Sequence, residues 1–355
     1  MKTDYLPKER VKWIDLAKFL AILAVMVDHT GGILYSSYYV AYSSYFSVSL
    51  FIIVLGITTM WQLCSADNVL KKSWTMCTVI LRPYIVATVI YRIFITGFFD
   101  FEDILNSIVY FNGTLPFYWV LLYLQLVLIS PVIMMFLEHS SGCRIQGLIE
   151  MAGLIATMVV SWMTTNYSDI LGVYGGGGKL FGGTYLVLFY IGMWFAKYFH
   201  KIRIGIASAV ICSLIMFACT IAWWIFISNN RLGIDSRLPF GEGFNPPSIS
   251  FGIYALLIAS MLLFLERALS CRPNGFLMKI MTRLSSLGKH TMYIFLYHMF
   301  FLSIVLPRVE SVTGIVIENI WIKRFVYFGI MIFGSIIIEV VLEKAHRIVL
   351  KIYNK

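Results

Sequence analysis

Apolar runs separated by short polar breaks dominate this chain from end to end. Ten can be marked off, at 13–34, 43–63, 76–98, 117–137, 147–164, 183–199, 206–228, 248–265, 286–306 and 322–342. Each is about 17 to 24 residues long, enough for a helix rising about 1.5 Å per residue to cross a hydrocarbon core of roughly 30 Å. The two-residue alternation that the strands of a closed barrel require is absent, so the strand reading drops out. The pattern predicts an all-α polytopic membrane protein with about ten transmembrane helices. One membrane domain is expected to fill residues 1–355, because the longest inner connection, at 266–285, is too short for a core of its own.

Composition sharpens this picture. Of 355 residues, 59% are hydrophobic and 13% charged, whereas water-soluble chains carry nearer a quarter of charged residues. Disorder, coiled coil and a nucleic-acid partner are excluded on the same grounds. The net charge of +10 matters through its placement: eighteen of the 28 lysines and arginines fall on one set of connections and edges, and six on the other. The positive-inside rule then puts both termini in the cytoplasm. The first apolar run is too long, and too polar within, for a cleaved signal, and is expected to stay as helix one. None of the six cysteines lies where an oxidising exterior would pair it, so neither a disulfide nor a metal site is expected. The outer connections at 100–116, 165–182 and 229–247 are the longer ones, so a substrate met by loops is met outside.

Ionisable groups inside spans cost several kcal/mol unless paired or wet, and each is a candidate for function. Helix one, WIDLAKFLAILAVMVDHT, is the densest case. Lys18 and His29 are eleven residues apart, which places them on one helical face with an axial separation of about 16 Å. Asp15 can pair with Lys18 one turn away; Asp28 points about 100° from His29 and need not touch it. Alone, Lys18 could snorkel to the inner headgroups and His29 could be a satisfied packing residue. In span three, Arg82 beside Pro83 offers a guanidinium suited to phosphate, or else marks the inner headgroup layer. Span nine sets His298 about 12 Å beyond His290, at the depth of His29, with Tyr293 and Tyr297 on neighbouring faces. Span four contributes Trp119, Tyr123 and Gln125, as interfacial belt or as a platform for sugar rings. Glu339 lies near the inner end of span ten, where it can pair with a cation.

These residues resemble the membrane-bound acyltransferase family 3, which includes O-acetyltransferases of bacterial surface polysaccharides. The resemblance covers nearly the whole chain. It rests above all on a basic residue, ten intervening positions and a histidine: Lys18, FLAILAVMVD, His29, preceded by WIDLAK. YFSVSLFIIVLGI (45–57), LRPY (81–84), FYWVLLYLQLVLISPVI (117–133), the glycine of LFYIGMWF (188–195) and YIFLYHMF (293–300) add to it. Lys18 stands where arginine is common, Leu55 where a serine would precede Gly56, and Met299 where proline would follow His298. The hydrolase-like domain that some members append is not expected.

The resemblance implies an acyl-CoA donor, usually acetyl-CoA, on the cytosolic side, a carbohydrate hydroxyl as acceptor, and a multi-pass location in the cell membrane among its lipids. No bound cofactor is implied. His29 would act as general base on the hydroxyl or carry the acyl group itself, with Asp28 beside it. Lys18 and Arg82 would hold donor phosphates, Asp15 would orient Lys18, and His298, Tyr297, Trp119 and Gln125 would support the acceptor. The rival from another class is a polysaccharide or lipid-linked glycan exporter, since polar residues in spans also mark transport pathways. A third reading is a noncatalytic partner in a surface-polymer assembly.

Overall fold

A computed structural model describes residues 7, 10–140, 144–166, 182–230, 249–314 and 317–353. Among these the chain is helical, running α1 (Lys12–His29), α2 (Tyr38–Ser44), α3 (Ser47–Cys64), α4 (Val69–Thr96), α5 (Phe101–Val109), α6 (Tyr118–Ser140) and α7 (Gln146–Asn166). It continues through α8 (Leu186–Tyr198), α9 (Ile206–Asn230), α10 (Ile249–Leu269), α11 (Phe276–Leu287), α12 (Thr291–Phe300), α13 (Leu306–Thr313) and α14 (Ile320–Tyr353). The end of the bundle where α1 begins is called inner below, and the end where it finishes outer. The protein is an all-α polytopic membrane protein. Most of the outer connections at 165–182 and 229–247, together with Cys143, lie outside the described residues.

Eight of the ten expected spans fall in helices both long and apolar enough to cross a membrane. The other two correspond to α1 and α8, and each misses for a physical reason. Helix α1 carries Lys12, Asp15, Lys18 and Asp28, while α8 has 13 residues. Both are surrounded by protein instead. The Trp13, Ile14, Leu16, Ala17 and Ala21 side chains of α1 enter a core shared with α3, α8 and α10. Its Phe19, Ile22 and Met26 enter a second core, with α4, α12 and α14. Helix α8 crosses α3 at two facing glycines: a Cβ on Gly56 would run into the Phe189 carbonyl, and one on Gly192 into the Ile53 carbonyl. Only hydrogen at both positions lets the backbones touch.

The start of α1 is held from outside the helix. Val11, at its N-cap, supplies no side-chain acceptor. Glu266 of α10 substitutes, accepting hydrogen bonds from the Lys12 and Trp13 amides at 3.0 and 3.1 Å. These are the donors a helix start leaves open, and a carboxylate there also meets the positive end of the dipole. Ser285 of α11 donates to the Lys12 carbonyl at 3.0 Å. The 266–285 connection, expected as a loop, thus contains a helix that buries Met278, Met281 and Ser285.

A second polar centre joins α6, α7 and α8 at the inner end. Lys197, read from sequence as an edge cation, is only 3% exposed and donates to Glu150 at 2.5 Å. Gln146, Ser140, Trp194 and Tyr198 also donate to that carboxylate. Other ionisable groups in spans find partners as well. Arg92 grips Asp103 of α5 with two hydrogen bonds of 2.5 Å, and Glu339 meets His290 at 2.6 Å.

Candidate functional site

The span expected over 13–34 ends early as a helix. His29 is the last residue of α1, and Gly31 and Gly32 turn the chain, with Gly32 at a φ of 78° that favours glycine. His29 therefore sits at a helix terminus rather than within a span. Its Nδ1 is 2.9 Å from Nε2 of His298, with the two rings stacked at 5.1 Å between centroids. The depth match anticipated from helical rise is realised as direct contact.

Hydrogen-bond chemistry orders this pair. His298 is fully buried, and its Nδ1 faces two backbone carbonyls, Ile294 at 3.0 Å and Phe295 at 2.8 Å. Carbonyl oxygens only accept, so His298 Nδ1 carries the hydrogen, and in a neutral ring Nε2 is then a bare acceptor. His29 must donate from Nδ1, which leaves the lone pair of its own Nε2 directed away from His298. Asp28 Oδ2 lies 4.0 Å from that nitrogen, beyond hydrogen-bond reach. The His29 side chain is 14% exposed, unlike that of the fully buried His298.

Toward the inner side lies a cavity of about 790 Å³ walled by α1, α3, α4, α6 and the segment leading into α12. Its inner portion is polar, with Arg10, Asp15, Lys18, Gln62 and Lys289; further in, Phe51, Leu55, Trp119 and Phe295 make it apolar. Asp15 joins two of the cations: Arg10 donates to Oδ2 at 2.5 Å, and Lys18 Nζ is 3.7 Å from Oδ1. That hydrogen bond to Asp15 raises the Arg10 pKa further above its ordinary value. Gly288 packs on the Asp15 backbone, where a Cβ would strike the carbonyl, and this contact brings Lys289 to the cavity. Neither histidine is part of the walls. Phe295, which is a wall residue, has its ring 6.2 Å from that of His298.

The structure thus gathers Lys18 with Asp15, and His29 with His298 and Asp28. It does not bring Arg82 to them: that side chain is exposed on α4 and absent from the cavity walls. Trp119 lines the inner cavity rather than an outer platform, and packs on Phe51 at 5.9 Å. Gln125 accepts from the Gly182 amide at 2.5 Å and braces the turn before α8. Tyr297 is fully buried in the core around α12. Sequence reasoning missed Arg10 and Lys289. Arg10 precedes the helix and has no register with Asp15, while the only signal for Lys289 was a glycine-lysine pair just before the helix of His298.

A family model described as an acyltransferase domain, the third of that series, matches residues 11–343. No curated protein and no solved structure matches the chain.

Proposed function

The chain belongs to the membrane acyltransferase family 3, and from that premise we propose that it is an O-acetyltransferase of the cell membrane. It takes the acyl group from cytosolic acetyl-CoA and transfers it to a hydroxyl of a cell-surface or lipid-linked carbohydrate. The observation that carries the reading is the lone pair left on His29 Nε2 by the hydrogen-bond chain from the α12 carbonyls through His298.

A hydroxyl has a pKa far above 7, so its proton must leave as it attacks. His29 Nε2 accepts that proton; the hydroxyl oxygen bonds to the thioester carbon; the carbon–sulfur bond breaks; and the thiolate leaves as coenzyme A, which takes up the proton. His298 stays neutral throughout and holds the reactive tautomer, the role an orienting partner plays for a catalytic base. On the donor side, Lys18, Lys289 and Arg10 supply cationic charge for phosphates, and Asp15 keeps two of them in place. The apolar depth of the cavity suits a pantetheine arm, which reaches over the roughly 16 Å that separate Lys18 from His29.

The test is transfer of labelled acetyl from acetyl-CoA to carbohydrate by purified protein in lipid nanodiscs. His29→Ala should lose about 10² to 10⁴ in rate while binding coenzyme A as wild type does. Equal yields from the two proteins would end the assignment.

A further inference from the structure

Three expected acceptor residues are committed elsewhere: Trp119 to the inner cavity, Gln125 to a backbone amide and Tyr297 to the core. The free nitrogen of His29 has another neighbour, at the end of α1. Asp28 Oδ2 is 4.0 Å from His29 Nε2, and the Asp28 side chain is 21% exposed. Among the described residues, none donates a hydrogen bond to the Asp28 carboxylate. The Tyr35 hydroxyl donates to the Val27 carbonyl across the end of α1, and α2, which Tyr45 directly follows, packs against α1. Tyr45 is held edge-on to Phe251 at 5.3 Å. At the start of α2, Tyr38 and Tyr39 stack at 4.5 Å and remain exposed. Trp224 anchors this helix by donating to the Tyr39 carbonyl at 3.2 Å.

Two bare acceptors 4.0 Å apart, one a base and one a carboxylate, match a pair of adjacent hydroxyls whose oxygens are about one hydrogen-bond length from each other. One hydroxyl donates to His29 Nε2 and is acylated. Its neighbour donates to Asp28, a short charge-assisted bond that fixes the sugar ring. A tyrosine ring at this end of α1 would cover the apolar edge of such a sugar. Resting on the acyl-transfer reading above, we propose that Asp28, with Tyr35 and Tyr45, is the acceptor-binding site, and that the acceptor is a carbohydrate bearing a vicinal diol, one oxygen of which receives the acyl group. Asp28 then acts by holding the substrate, and the base is His29 alone.

The experiment uses the full chain in nanodiscs with labelled acetyl-CoA and a panel of methyl hexopyranosides, each with the analogue lacking the hydroxyl next to the acylated one. Wild type should acylate at least one parent glycoside and discriminate against its deoxy analogue. Asp28→Asn should raise the glycoside KM roughly tenfold or more, the size expected for loss of a hydrogen bond to a charged group, and abolish that discrimination. Its KM for acetyl-CoA should stay at the wild-type value, which also reports an intact fold. Tyr45→Leu should raise the glycoside KM in the same selective way. An Asp28→Asn protein with unchanged glycoside KM, or with wild-type discrimination, overturns the assignment while leaving acyl transfer standing. A wild-type protein that acylates no glycoside overturns the carbohydrate reading and this site together.

Discussion

His298 fixes the tautomer of His29 across 2.9 Å, because its other ring nitrogen is committed to the Ile294 and Phe295 carbonyls. Removing the partner frees His29 to rotate and to place its hydrogen on Nε2, where it cannot act as a base. His298→Ala should therefore lower kcat by about 10² or more while the KM for acetyl-CoA changes little. His298→Gln keeps a carbonyl oxygen able to accept from His29 Nδ1 and should recover part of that loss. The pair of variants separates orientation from packing: steady-state kinetics in which Gln is no better than Ala would remove His298 from the mechanism.

Cations around the inner cavity give a second test. Lys18 and Lys289 line it along with Arg10, and a phosphate-bearing donor held by them loses counter-charge when either is neutralised. Lys18→Met and Lys289→Met should each weaken coenzyme A binding by about tenfold, the size of one hydrogen bond to a charged group. Both should flatten the dependence of affinity on ionic strength, since exposed charge pairs are screened by salt. Arg82→Met, on the exposed face of α4, should leave affinity at the wild-type value. Isothermal titration of the three proteins at low and high salt decides this, and a loss confined to Arg82→Met would move the donor site to α4.

Local periodicity carried a good part of this structure into view. Lys18 lines the inner cavity and His29 does not, whereas the Asp15–Lys18 pair and the depth of His298 follow from helical rise and turn within single helices. The limits of α1 did not: Gly31 and Gly32 end it where the apolar run continues, so His29 became a terminus. What joins distant segments was also hidden. Lys289 reaches the cavity only because Gly288 fits against the Asp15 backbone, and Gly56 opposite Gly192 shows its purpose only once α3 and α8 cross. Trp119 read as an interfacial aromatic because its helix was assumed to start at the outer surface. Pro116 and Phe117, just before α6, are buried, so the helix begins inside the protein.

The buried pair of Glu150 and Lys197 separates two ways of damaging the bundle. Both side chains are under 5% exposed, and the carboxylate accepts hydrogen bonds from Lys197, Gln146, Ser140, Trp194 and Tyr198. Glu150→Ala strands an ammonium inside the protein, with the Leu137 carbonyl, the Ser140 hydroxyl and the Tyr198 ring as its remaining partners. A buried charge left without its counter-ion costs about 3 to 5 kcal/mol. Lys197→Met removes the cation but leaves the carboxylate with four neutral donors, and a hydrogen-bonded anion tolerates that loss better. Thermal unfolding in detergent should thus rank wild type above Lys197→Met, and Lys197→Met above Glu150→Ala. Neither residue belongs to the histidine pair or the inner cavity, so folded molecules of both variants should keep their acetyl-CoA KM. A Lys197→Met protein less stable than Glu150→Ala would mean that the ammonium, through Leu137, and not the carboxylate, organises the junction of α6, α7 and α8.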